Sequence, residues 1–179
     1  MELADAGSYF YGNFRREKQM DLSTIGVKFG WAVEKTAGTK PSAFKWIKRC
    51  SKIAGLNITK DKIDTTCFED KIKTYIAGTG DTGGDWNINF NGTKKGSSTD
   101  TVKAWNELLE ASEAGAEDGK ATWADIFIPG FGSYFVKFEP GEIPMPDLEP
   151  GSKLDIQISN VVNEYMGLGE AIEPAESVA

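Results

Sequence analysis

Apolar side chains in this sequence recur at every second position in short runs cut off by glycine or proline, and only one stretch keeps the period of a helix. Ile25, Val27, Phe29, Trp31 and Val33 alternate with Gly26, Lys28, Gly30 and Ala32, the spacing of a half-buried strand. Thr36–Pro41 reads as a turn, since Gly38 frees the backbone and Pro41 has no N–H for a ladder. A second extended run, Phe44–Ile53, carries Lys45, Lys48, Arg49 and Lys52 on poorly sorted faces, as at an edge or an interface. Gly55 breaks it, and Leu56 and Ile58 resume the alternation. Trp86, Ile88 and Phe90 alternate with Asn87 and Asn89 up to an Asn91-Gly92 turn. Ala121–Ile128 and Tyr134–Phe138 read as a hairpin joined by Pro129-Gly130-Phe131-Gly132, and Leu154, Ile156 and Ile158 mark a last strand.

The helical stretch runs from Thr99 to Ala114. Ser98 or Thr99 is placed to cap it, and Asp100 suits the positive end of its dipole. Val102, Trp105, Leu108, Leu109 and Ala111 or Ser112 form the apolar stripe, with Glu107, Glu110 and Glu113 on the wet side and Gly115 as a left-handed end. Pro140, Pro144, Pro146 and Pro150 make a stiff connector that cannot join a central strand. Many strands and one helix, without βα alternation, predict a mainly β fold: an antiparallel β-sandwich or barrel with one flanking α-helix. At 179 residues the chain is about one domain by the rule of roughly 150 residues each. We place an N-terminal arm at 1–22, the β domain at 23–168 and an acidic, frayed tail at 169–179, whose Glu170, Glu173 and Glu176 have no basic neighbour in sequence.

The least ordinary stretch is Lys60–Asp85, a long loop or hairpin. Ten charged residues share it with Ile63, Cys67, Phe68, Ile72, Tyr75 and Ile76, and glycines 78, 80, 83 and 84 follow. A structureless loop of this length inside a compact domain is usually functional or disordered, and so many apolar side chains argue against pure disorder. Cys67, Phe68, Glu69, Asp70, Lys71, Ile72, Tyr75, Ile76 and Asp81 are therefore candidates for contact with another subunit. The arm is a second candidate for docking, because Tyr9, Phe10, Tyr11 and Phe14 are more aromatic surface than a solvated tail needs.

Chemistry is sparse. The chain has no histidine, which excludes Ser-His-Asp, Cys-His and His-ligated metal mechanisms. Its two cysteines, Cys50 and Cys67, cannot build a four-cysteine zinc site and read as reduced thiols. Gly78-Thr79-Gly80-Asp81-Thr82-Gly83-Gly84 lacks the Gly-Lys-Ser/Thr ending of a phosphate loop. Asp81 and Asp85 do not have EF-hand spacing. Glu139 and Glu142 make a carboxylate pair only on paper, since glycosidases need a set separation across a cleft. The expectation is no enzyme, no cofactor and no metal. An apolar membrane span and a secretory leader are not expected either, since no stretch approaches ~18 apolar residues and Met1–Met20 lacks an apolar core. A net charge of −7 argues against a generic nucleic-acid binder. Charge is also split: residues 1–106 carry 17 basic and 12 acidic side chains, residues 107–179 carry 3 and 15. Such a chain suits a polar subunit whose positive side meets the negative side of the next copy.

Assembly is what remains, and several segments resemble a known family. Ser23-Thr24-Ile25-Gly26-Val27-Lys28-Phe29-Gly30-Trp31-Ala32-Val33-Glu34, continuing through Thr36-Ala37-Gly38-Thr39-Lys40-Pro41, is similar to the opening of phage tail tube proteins, the major tail proteins of long-tailed bacteriophages. Three more segments are similar. One is Phe68-Glu69-Asp70-Lys71 with Tyr75-Ile76-Ala77-Gly78 and Asp81-Thr82-Gly83-Gly84. The others are Ile128-Pro129-Gly130 leading to Ile143-Pro144-Met145-Pro146, and Asn163-Glu164-Tyr165-Met166-Gly167-Leu168. The likeness spans about residues 23–168, leaves 1–22 outside, and rests on many positions rather than one motif.

The resemblance implies a β-sandwich with a flanking helix, in hexameric rings stacked head to tail into a hollow tube. A long hairpin would join a continuous inner barrel, and loops would reach neighbouring subunits. DNA would be non-specific passing cargo, which an acidic lumen would repel. A tape-measure protein, a tail terminator and a tail tip are the implied partners, in a virion tail assembled in the host cytoplasm. The alternatives are the related tube protein of a contractile or secretion-type injection machine and a monomeric carbohydrate- or receptor-binding module of a phage fibre.

Overall fold

The computed structural model describes residues 21–176; the expected arm thus lies almost wholly outside the described residues. The elements are β1 (Lys28–Val33), β2 (Lys45–Ile47), β3 (Cys50–Ile53), β4 (Thr59–Asp64), β5 (Tyr75–Asp81), β6 (Asp85–Asn91), α1 (Thr101–Glu117), β7 (Thr122–Ile128), β8 (Gly132–Glu139) and β9 (Asp155–Gly169). Seven strands form one antiparallel sheet in the order β2-β1-β7-β8-β9-β6-β3, and β4 and β5 form a separate two-stranded sheet. The expected mainly β, antiparallel fold with one flanking helix is what is found. β1 and β6 lie four places apart in the large sheet, about 19 Å if it were flat at about 4.8 Å per strand. Yet the Phe29 ring lies 6.2 Å from Trp86 and 5.8 Å from Phe90. The sheet therefore curls over itself, and its two halves face each other as in a sandwich.

Inside the curl lies the main core, built on Phe29, Trp31, Ile47, Trp86, Ile88, Phe90, Trp105, Leu108, Val136, Phe138, Ile156 and Ile158. The helix supplies Trp105 and Leu108 and closes one end. Asp100, not Ser98 or Thr99, caps it, accepting the N–H of Lys103 at 3.1 Å. Trp105 donates its indole N–H to the Gly141 carbonyl at 2.9 Å, which ties the proline connector across the helix. Val102 is more than a third exposed, so the stripe is rotated from the expected one toward Thr101, Ala104 and Gly115. Gly115 does not end the helix. It is buried against Val33, whose Cγ1 stands 2.5 Å from where a Cβ would be, and the left-handed turn comes at Gly119 with φ 68°.

Three more expectations change. Phe44–Ile53 is not one strand: Arg49 takes the left-handed conformation at φ 65°, which parts β2 from β3 and sends them to opposite edges of the sheet. The first strand starts at Lys28 rather than Ile25, whose side chain is exposed. The C-terminal segment is docked through Glu176, not frayed. Trp46 donates its backbone N–H to Ala175 O at 2.7 Å, and Ala175 donates back to Phe44 O at 3.0 Å, covering the β2 edge. Its glutamates find long-range partners, Glu173 with Lys28 at 2.5 Å and Glu176 with Lys48 at 2.6 Å. The charge split along the chain is therefore partly neutralised within one subunit, and β7, β8 and β9, from the acidic half of the chain, form the middle of the sheet between strands from the basic half. Beneath this strap, on the outer sheet face, Phe44, Trp123 and Phe135 pack with Ile172 in a second small core.

Candidate functional site

All nine candidate contact residues fall on one element, the hairpin of β4 and β5. Its register pairs Asp64 with Tyr75, Ile63 with Ile76 and Lys62 with Ala77, and then slips before Lys60 meets Gly80 and Thr59 meets Asp81. The slip leaves one more residue on β5 than on β4 at this point, a bulge that adds twist. Every β4 residue is exposed, and on β5 only Gly78 is partly covered. The hairpin thus projects from the body of the subunit.

Its tip is tied by its own polar groups. Thr65 donates its backbone N–H to Thr74 O at 3.0 Å, and Thr74 donates to Thr66 Oγ1 at 3.1 Å. Asp64 accepts the backbone N–H of Thr66 at 2.9 Å and its hydroxyl as well. Asp70 accepts the N–H of Cys67 at 2.9 Å and its thiol at 3.2 Å. These donors hold both carboxyls below the usual carboxylate range: the Thr66 hydroxyl and N–H for Asp64, the Cys67 N–H and thiol for Asp70. Asp81 turns the chain out of the hairpin by accepting the N–H of Gly83 at 2.9 Å. The stretch read as a long loop or hairpin is a paired hairpin in the single chain.

What the hairpin leaves unsatisfied is apolar. Phe68 and Ile72 stand in solvent at the tip, and Ile63, Tyr75 and Ile76 are about half exposed. Ile63 and Ile76 are directly opposed and share one face. Ile63 is among the apolar residues of the stretch but not among the candidate contact residues; its place opposite Ile76 comes from the register of the hairpin. A two-stranded hairpin is marginal in water unless its apolar face is covered.

A second feature lies within the curl of the large sheet, at the end opposite the helix. A groove of about 620 Å³ opens there, lined among others by Cys50, Ile53, Leu56, Trp86, Ile126 and Tyr165. Burial pushes the Cys50 thiol up to about 12, with partial offset from the Lys52 backbone. Among the described residues, no group of three or more His, Cys, Asp or Glu is placed to hold a metal ion, and no helix is long and apolar enough to cross a membrane.

No family model matches the chain, and no curated protein matches it. Solved structures do. A chain in the cryo-EM structure of the anti-feeding prophage cap, a tube-terminating cap, aligns over 83% of this chain and 91% of its own length, at 15% identity and a TM-score of 0.51. A chain in the tail of an empty gene transfer agent particle, with C6 symmetry, covers 80% of this chain and 96% of its own, at 14% identity and a TM-score of 0.47. A chain in the six-fold symmetrised anti-feeding prophage baseplate covers 84% and 98%, at 11% identity and a TM-score of 0.45. The first of these shares the fold.

Proposed function

We propose that this chain is a structural subunit of a phage-type tail, which assembles with copies of itself into stacked hexameric rings around a hollow tube. DNA passes through that tube as non-specific cargo. The observation that carries the reading is the β4–β5 hairpin, a projecting element on which, among the described residues, nothing covers Phe68 and Ile72 and only half of Ile63 and Ile76 is covered. Contiguous exposed apolar surface of this kind marks an interaction site. A finger on one copy that seats on a different surface of the next makes a head-to-tail contact, which closes into a ring or continues as a filament. The fold shared with a chain of a tube-terminating cap agrees with it, as do the segments similar to tail tube proteins. In this reading the tape-measure, terminator and tip proteins are the further partners. The virion tail, built in the host cytoplasm, is its place.

A carbohydrate-binding module would need exposed aromatic platforms. Four of the five tryptophans, Trp31, Trp86, Trp105 and Trp123, are instead core residues, and the exposed Phe68 and Tyr75 lie on the hairpin. Sedimentation velocity across a wide concentration range, with negative-stain microscopy of the concentrated sample, tests assembly. Rings or tubes are expected. A strict monomer at the highest concentration, with no rings on the grid, overturns the proposal.

A further inference from the structure

The groove opposite the helix is an apolar site that nothing in the described residues fills. Its accessible floor is Leu56, Ile126 and Tyr165 over the buried Trp86 and Val136, and one wall is β3, the strand that ends the sheet. Its volume, about 620 Å³, is in the range of roughly 300–1,000 Å³ that takes an organic ligand or a few large side chains.

The rim identifies the occupant. Thr24 and Val27 line the groove, and Leu22 passes beside the Gly130 turn. The chain therefore enters the described fold at the groove's own mouth. There Ile25 is exposed, and so is half of Phe131. Residues 1–20 precede that point and hold Tyr9, Phe10, Tyr11 and Phe14. Phe14 lies ten residues before Thr24, a tether of up to about 35 Å. Such short links hold a segment near its site at about millimolar effective concentration, far above that of a second copy in dilute solution. Among the described residues β3 also has one unpaired edge, along which an extended segment gains backbone hydrogen bonds.

We infer that the aromatic segment Tyr9–Phe14 docks into the groove of its own subunit, packing against Leu56, Ile126, Tyr165 and the β3 edge. This goes beyond the assembly reading and does not depend on it.

Cys50 lines the groove and Cys67 stands exposed on the hairpin, so the two free thiols are a paired probe. The experiment compares the full chain with its Tyr9→Ser, Phe10→Ser, Tyr11→Ser, Phe14→Ser variant. Both react with a bulky maleimide at micromolar protein, and peptide mass analysis reads each thiol separately. The expected result is Cys50 modification faster by about tenfold or more in the variant, with the Cys67 rate and the circular-dichroism melt unchanged. An unchanged Cys50 rate overturns the inference. Protection of Cys50 that appears only as protein concentration rises assigns the segment to a second copy and overturns docking within the subunit.

Discussion

Trp123 donates its indole N–H to Glu34 Oε1 at 2.8 Å, and both residues are buried. The other carboxylate oxygen accepts the N–H of Gly38 at 2.6 Å and that of Ala121 at 3.3 Å. One side chain thus ties the end of β1 to the turn after it and to the start of β7. Burial pushes the Glu34 pKa up, but the Trp123, Gly38 and Ala121 donors outweigh it, and the net shift is below the ordinary value. The stability it contributes is therefore present above the ordinary glutamate range and lost as pH falls through its lowered folded value. Glu34→Ala strands three donors, one of them a buried indole, and should cost about 3 kcal/mol. Glu34→Gln keeps one acceptor and should cost about half as much. Urea denaturation at pH 7 and pH 3 checks this: the wild-type advantage over Glu34→Ala should shrink at the lower pH.

Asp125, on the outer face of β7 beneath the C-terminal strap, is the opposite case. It is completely buried, and neither carboxyl oxygen has a hydrogen-bond partner among the described residues. Its ladder neighbours are Gly30 and Phe135, with Pro174 and Phe44 packed over Gly30. Burial pushes its pKa up to about 7, partly offset by the charge of Lys40, whose Nζ lies 3.2 Å from the centre of the Phe135 ring; the Ser133 hydroxyl nearby is engaged with the Ile172 backbone. The folded state then holds a proton that the unfolded chain releases near pH 4. Stability should fall as pH rises from about 4 to about 7 and level off above that. Asp125→Asn removes the titration. It should match the wild type near pH 4 and exceed it by about 2 kcal/mol at pH 8, a figure reduced for solvent screening. Thermal melts of the two proteins across that range decide it; parallel curves would mean the carboxyl is not confined.

Phe68→Ser and Ile72→Ser change only exposed side chains at the hairpin tip. Each should alter unfolding free energy by less than about 0.5 kcal/mol, as surface substitutions usually do. If the hairpin joins subunits, the double variant should remain monomeric at concentrations where the parent forms rings, as sedimentation velocity would show. A variant that assembles normally would move the contact elsewhere.

Where residues answer to near neighbours, the chain is legible. Trp86, Ile88 and Phe90 alternate because β6 presents one face to the core throughout, and that strand is found where the pattern puts it. The hairpin of β7 and β8 is equally plain, since its turn is made of proline and glycine. Elsewhere long-range contacts decide. Nothing at Arg49 announces a left-handed residue, so the break between β2 and β3 is silent in sequence. The glutamates of the tail look unpartnered until the sheet brings Lys28 and Lys48 to them. For the candidate hairpin, composition marks the segment and its apolar residues. The Ile63–Ile76 pairing becomes visible only once the register, with its bulge, is known.

Gly115 presents two opposing effects. In a helix interior, Ala in place of Gly is favoured by about 1 kcal/mol. Here a Cβ would stand 2.5 Å from Val33 Cγ1, and Val33 is held in β1 by its pairing with Thr122. Overpacking of this kind costs about 1–3 kcal/mol, so the clash should win and Gly115→Ala should destabilise by about 1–2 kcal/mol. Shortening the neighbour reverses the sign. In a Val33→Ala background the space is open, and Gly115→Ala should then stabilise the protein by its helix preference. The double-mutant cycle, measured by chemical denaturation, reads the difference as a coupling energy of about 2 kcal/mol. Additivity within a few tenths of a kcal/mol would mean that the helix can shift away from β1, and that Gly115 is not what sets the distance between them.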